Sequence, residues 1–149
     1  MTTTCHEAPV ARAPRVAALR PPMGRLVVGG FFLMMSGVHL GVVAVEPGTY
    51  RHFADAGLFA FVRDGWIEIV MAAPAVYGLL LMAGEATAGF LLLLGGRAAR
   101  FGWAAVITFH VLLMLFGWWV WAWSVPALVM LTLLARHDLA TSIDERPLP

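Results

Sequence analysis

The sequence predicts an all-α membrane protein, a bundle of four transmembrane helices with a short interfacial helix between the first and second spans. Three observations carry this. The 149 residues are 60% hydrophobic and only 13% charged, where a soluble domain runs nearer half apolar and a quarter charged. The apolar residues gather into runs close to the roughly 20 residues that a helix needs to cross a bilayer. Apart from Glu85, the charged side chains fall between or at the ends of those runs, and every one of the ten basic residues is arginine.

Residues 1–23 hold Pro9, Pro14, Pro21 and Pro22 beside Arg12, Arg15 and Arg20, with no helical apolar periodicity. They read as a disordered cytoplasmic tail. The first span is placed at 24–45. Its unbroken apolar run, Leu26 to Val45, exceeds the 7–15 residues or so of a signal-peptide core, so a retained span is favoured. Pro47-Gly48 ends it and Thr49 can cap a new helix. From 49 to 63, Tyr50, Phe53, Ala54, Gly57, Leu58, Phe61 and Val62 share a helical face while Arg51, His52 and Asp55 lie elsewhere. That pattern fits an amphipathic helix at the membrane interface, with Arg51 and Asp55 spaced for an ion pair.

The apolar stretch from Trp66 to Gly96 is too long for one straight span and too short for two. Pro74 divides it into an approach segment and a second span at 75–94. Gly95-Gly96 ends that span, and a tight turn over Arg97–Arg100 leads to a third span at 101–118. The fourth is placed at 121–136, with Pro126 kinking it or marking its first turn and Ser124 as a cap. Residues 137–149 read as a polar C-terminal tail. With four spans and the N-terminus inside, eight arginines face the cytoplasm and only Arg51 and Arg63 face out. This asymmetry orients the chain in a bacterial cytoplasmic (inner) membrane with both termini cytoplasmic. Trp118, Trp119, Trp121 and Trp123 then gather at the outer headgroup level.

Several classes of function drop out. A net charge of +1 with no basic patch outside the membrane flanks gives no nucleic-acid partner. The single cysteine, Cys5, excludes an internal disulfide and a cysteine-held metal cluster, and no metal site is assigned. HExxH, GxGxxG, P-loop, CxxC and nucleophile-elbow patterns are missing.

What remains is a polar centre. Glu85 is the one charged side chain between Pro74 and Gly96. An acidic residue at a helix centre costs about 2.5–3.5 kcal/mol on insertion scales, so its presence calls for a reason. Its helical neighbours include Gly78, Ala88 and Gly89, small residues that admit a second helix. His110 lies on a stripe with Trp103, Ile107, Met114 and Gly117. Counted from the 97–100 turn, Glu85 is 12 residues before Arg97 and His110 is 10 after Arg100, which sets both near the midplane and pairs them. His39, 14 residues after Arg25, is placed in the outer third of the first span. Glu68, beside Trp66, reads as a solvated interfacial carboxylate. A Glu–His pair can serve helix packing alone, a ligand or quinone site in which histidine donates to a carbonyl, or acid–base catalysis. Haem ligation by His39 and His110 is disfavoured by their unequal depths.

Three stretches carry a family resemblance: Ser36-Gly37-Val38-His39, Pro47-Gly48-Thr49-Tyr50, and Gly84-Glu85-Ala86-Thr87-Ala88-Gly89 running through the leucines to Gly95-Gly96-Arg97. With them the chain resembles the DoxX-like family of small four-helix membrane proteins across roughly residues 24–136. It departs from that pattern in the long stretch between Tyr50 and Pro74 and in the Glu85-to-Gly89 spacing. The resemblance implies a four-helix bundle in the cytoplasmic membrane, associated with quinone-linked or thiol-linked redox systems.

The expectation is therefore an accessory or quinone-associated subunit of a membrane redox system. Glu85 and His110 are its candidate catalytic pair, and His39, Glu85, His110 and Trp103 its candidate ligand-binding residues. Its partners would be the lipid bilayer and a redox-enzyme subunit or a second copy of the chain. An integral membrane enzyme acting on an isoprenoid or lipid, and an assembly protein with no ligand, stand as the alternatives.

Overall fold

The computed structural model describes Met23–Asp144, and the expected N-terminal tail lies outside the described residues. Those residues are almost entirely helical, with no strand among them. The first long helix, α1 (Met23–Val45), ends before Pro47, which cannot donate to the ladder. The cap is Glu46 and not Thr49: its Oε1 accepts from the Gly48 N–H at 3.2 Å at the start of a 3₁₀ turn over Pro47–Arg51.

The single helix expected over 49–63 is instead two short ones, α2 (His52–Asp55) and α3 (Ala60–Gly65). The chain breaks at 56–59 because the Leu58 N–H leaves the helical ladder to donate to the Leu115 carbonyl at 2.9 Å. That bond ties the connector to the turn between the third and fourth long helices. Asp55 lies near His52, at 3.9 Å, in place of the expected Arg51 pair. Next comes a π-helical turn over Trp66–Val70, closed by Met71 N–H donating to the Trp66 carbonyl at 2.9 Å. Glu68 on this turn is exposed, as expected.

The second long helix, α4 (Pro74–Leu94), opens with proline in its first turn, where a missing N–H costs nothing. The turn after it is tighter than expected. Gly95 and Gly96 adopt positive φ, +77° and +56°, and reverse the chain alone. Arg97–Arg100 are therefore already the first turn of α5 (Gly96–Leu113), which begins five residues before the expected 101. A 3₁₀ turn (Met114–Phe116) and Gly117, at φ +94°, form the last reversal. A Cβ at Gly117 would lie 2.7 Å from the Ala56 carbonyl oxygen, so glycine is required there twice over.

The last helix, α6 (Trp118–Asp144), starts three residues before the expected span and runs through Pro126 without ending. Ser124 is consequently inside it, fully buried, and caps nothing. α6 also continues past Arg136, where a polar tail was expected, because Asp138 is drawn into the bundle and is 2% exposed.

All four long helices are long and apolar enough to cross a membrane, and the chain is a multi-pass membrane protein. They run antiparallel in sequence order. α1 and α4 form the tightest pair: Gly29 and Gly89 meet so closely that a Cβ on either would lie 2.8–3.0 Å from the other's carbonyl oxygen. Small residues allow this approach, which supplies packing where burial from water supplies none. The core of Val28, Phe32, Leu92, Trp103, Val106 and Leu131 lies toward the arginine-rich end. The opposite end is closed by the connector, where Phe53, Trp66 and Phe116 form an aromatic cluster with centroids 4.9–5.6 Å apart.

Candidate functional site

Glu85 is buried, 4% exposed, on the face of α4 that α1 covers. The partner it meets is His39, whose Nε2 lies 3.5 Å from Glu85 Oε1. The register explains the meeting. Gly29 packs on Gly89, and Gly78 lies against Val43, so the pair is antiparallel and His39 falls about one turn from Glu85 toward the connector. Helical side chains lean toward their own N-terminus. On antiparallel helices offset this way, the two therefore lean toward each other.

The expected Glu85–His110 pairing is not what the fold produces. Depth does not separate them: Gly102 of α5 packs on Leu92 of α4, which keeps His110 about level with Glu85. His110 points elsewhere. Its Nδ1 donates to the Val106 carbonyl at 2.8 Å, and its ring packs against Phe32 and against Trp123 of α6, with centroids 6.0 and 5.7 Å away. A carbonyl only accepts, so this bond fixes the proton on Nδ1.

Trp103, expected beside the site, lies at the arginine-rich end instead. Its indole N–H donates to Asp138 Oδ2 at 2.8 Å, and Arg25 Nη1 stands 3.6 Å from Asp138 Oδ1. Arg25 also borders Gly95, where a Cβ would lie 3.0 Å from its guanidinium nitrogens. This cluster joins α1, the α4–α5 turn, α5 and α6.

Tyr50 completes the centre and was missed as a site residue in the sequence. Its hydroxyl lies 2.9 Å from His39 Nδ1, its ring stacks on the imidazole at 5.8 Å, and it is 4% exposed. Two features seat it. The Trp66 indole donates to the Tyr50 carbonyl at 2.8 Å, and Gly78 leaves room for the phenol, since a Cβ there would lie 2.7 Å from Tyr50 Cε2. Burial, then the nearby Glu85 carboxylate, pushes the phenol above its ordinary value of 10.0. The sequence did place Tyr50 on the apolar face of the 49–63 segment and in the Pro47-Gly48-Thr49-Tyr50 stretch, but neither feature pointed to a partner.

Glu85 faces a second neighbourhood. A cleft of about 430 Å³ opens between α4 and α5, walled by Phe32, Leu81, Ala88, Ala104 and Phe109. That volume falls within the roughly 300–1,000 Å³ of small-molecule sites. Its only polar side chains are Glu85 on α4 and Thr108 on α5. Glu85 Oε2 is buried and has no hydrogen-bond partner among the described residues. Leu80 and Leu112, at the cleft's rim, are 61% and about half exposed, so it opens sideways, toward lipid. Thr108 was the other residue that sequence reasoning passed over.

A scan of family models and searches of curated proteins and of solved structures found no match to this chain. The functional reading therefore stands on the geometry.

Proposed function

We propose that this multi-pass protein holds a lipid-soluble molecule bearing a hydroxyl donor, a quinol above all, in the α4–α5 cleft. It would do so as an accessory subunit of a membrane redox system in the cytoplasmic membrane, with its arginine-rich end facing the cytoplasm. One observation carries the reading: Glu85, whose Oε2 is a buried acceptor with no hydrogen-bond partner among the described residues, lines a largely apolar cleft that opens toward lipid. A buried polar atom left unsatisfied costs about 1–3 kcal/mol, more when charged. A ligand hydroxyl reaching Oε2 recovers that cost.

The chemistry selects among ligands. A carboxylate accepts from the O–H of a quinol and repels the carbonyl oxygen of the oxidised quinone, so the reduced form is the one retained. The resemblance to DoxX-like proteins agrees with a quinone-linked role. The apolar walls exclude water and leave orientation to Glu85 and Thr108.

The test is binding of a short-chain quinol and its oxidised quinone to the purified full chain, read by quenching of tryptophan fluorescence. Quinol is expected to bind more tightly than quinone. Glu85→Gln is expected to weaken quinol by about 1.5–3 kcal/mol, roughly tenfold or more, the worth of a hydrogen bond to a charged group. Equal affinity for both redox forms, or unchanged binding in Glu85→Gln, refutes the reading. Organic extraction that recovers an isoprenoid alcohol and no quinol would redirect it to lipid chemistry.

A further inference from the structure

The face of Glu85 away from the cleft is occupied by a file of three groups. Glu85 Oε1 stands 3.5 Å from His39 Nε2, and His39 Nδ1 stands 2.9 Å from the Tyr50 hydroxyl. The two imidazole nitrogens thus lie between a buried carboxylate and a phenol. Tyr50 itself belongs to the connector, among the exposed polar residues Glu46, Arg51 and His52. The file therefore begins at a buried phenol just beneath the charged surface of the connector and ends at a carboxylate that lines the apolar cleft. Helix packing alone does not call for this order. A single histidine–carbonyl bond, like that of His110, satisfies a buried imidazole.

We propose that Tyr50, His39 and Glu85 form a proton relay joining the aqueous surface at the connector end to the α4–α5 cleft. The proposal deepens the reading of the cleft as a hydroxyl-binding site and rests on it for the physiological proton donor.

The transfers balance without any further reactant. With Glu85 ionised, its Oε1 faces the His39 Nε2–H, and the lone pair on Nδ1 accepts from the Tyr50 O–H. Water gives a proton to the phenolic oxygen as the Tyr50 proton passes to Nδ1 and the Nε2 proton passes to Oε1. One proton enters from water and one arrives on Glu85; only O–H and N–H bonds form and break, and no electron moves. The reverse sequence carries a proton that the cleft ligand has given to Glu85 out to water. The His39–Glu85 gap exceeds the usual N–H···O distance by about half an ångström, a movement within side-chain motion.

The titratable and charged groups facing the relay are few. α1 contributes His39, the connector Tyr50, and α4 Glu85, while His110 on α5 is turned toward Trp123. Glu46, Arg51 and His52 flank Tyr50 on the connector, and among the described residues no hydrogen bond or ion pair joins any of them to the file.

The experiment needs no ligand. Purified full-length protein is subjected to a rapid pH jump, and the carboxylic C=O stretch of Glu85, assigned by its loss in Glu85→Gln, is followed by time-resolved infrared spectroscopy. Tyr50→Phe removes the hydroxyl and keeps the ring, and is expected to slow the approach to equilibrium by about tenfold or more. His39→Gln, which retains hydrogen bonding but cannot pass a proton through a ring, is the second arm and is expected to slow it likewise. A wild-type rate in both variants overturns the relay, as does a Glu85 band that does not respond to pH wherever the protein stays folded. If quinol fails to bind the wild type while the infrared rates respond to Tyr50→Phe, the ligand reading falls and the relay stands.

Discussion

Tyr50 puts a titratable hydroxyl under a lid of its own chain, and its ionisation reports on that lid. Its folded value is raised above 10.0 by burial and by Glu85. The folded state therefore keeps its proton where the unfolded chain has lost it. The stability tied to the neutral phenol is complete below pH 10 and is lost as pH rises through the raised folded value. Thermal unfolding in detergent at a series of alkaline pH values should show this loss, and Tyr50→Phe should flatten it. A wild-type and a Tyr50→Phe curve falling in parallel above pH 10 would assign the alkaline instability elsewhere. At this scale the sequence was legible where a residue contradicted its surroundings. Glu85 stood out because a carboxylate in an apolar run is costly, and it is indeed buried at the centre. Tyr50 and Asp138 did not stand out. A tyrosine near a proline and an aspartate near a chain end are ordinary in sequence, and only packing makes them buried partners.

Among the helices, the α1–α4 seam has a sharply uneven tolerance for side chains. At Gly89 a Cβ would come within 2.8 Å of the Gly29 carbonyl oxygen and 2.9 Å of Leu33 Cγ. Gly89→Ala is expected to destabilise the bundle by about 1–3 kcal/mol, the usual cost of overpacking. At Gly37, on the same α1, nothing lies within 4 Å. Gly37→Ala should be neutral or stabilising by up to about 1 kcal/mol through helix propensity. Denaturation in mixed micelles compares the two, and equal effects would show that the seam is not close-packed. The periodicity and glycine content made the long helices legible, down to Pro74 at the head of α4. Their ends were less so. Gly95-Gly96 and Gly117 supply positive φ that a hydropathy reading passes over, so the α4–α5 turn was placed too late and α6 began too late. His110 stays about level with Glu85 but turns toward Trp123, and His39 takes the place beside the carboxylate. Which azimuth a residue faces depends on neighbouring helices, and a single sequence carries little of that.

Taken whole, the molecule is closed differently at its two ends. At the connector end, aromatic packing and a backbone bond from Leu58 to Leu115 hold short, irregular segments in place. At the arginine-rich end, a buried ion pair joins the first long helix to the last, from Arg25 to Asp138. The partners are 113 positions apart. During synthesis Arg25 enters the bilayer's edge long before its counter-ion exists, and breaking such a pair leaves a charge stranded at about 3–5 kcal/mol. The Arg25–Asp138 pair therefore closes only when the final helix has been delivered. A chain stopped at Arg136 keeps most of that helix but not the carboxylate, and in a pulse-chase it should be cleared faster than the full chain. Arg25→Met in the shortened chain should restore its persistence, since a bundle without the early cation has nothing left to wait for.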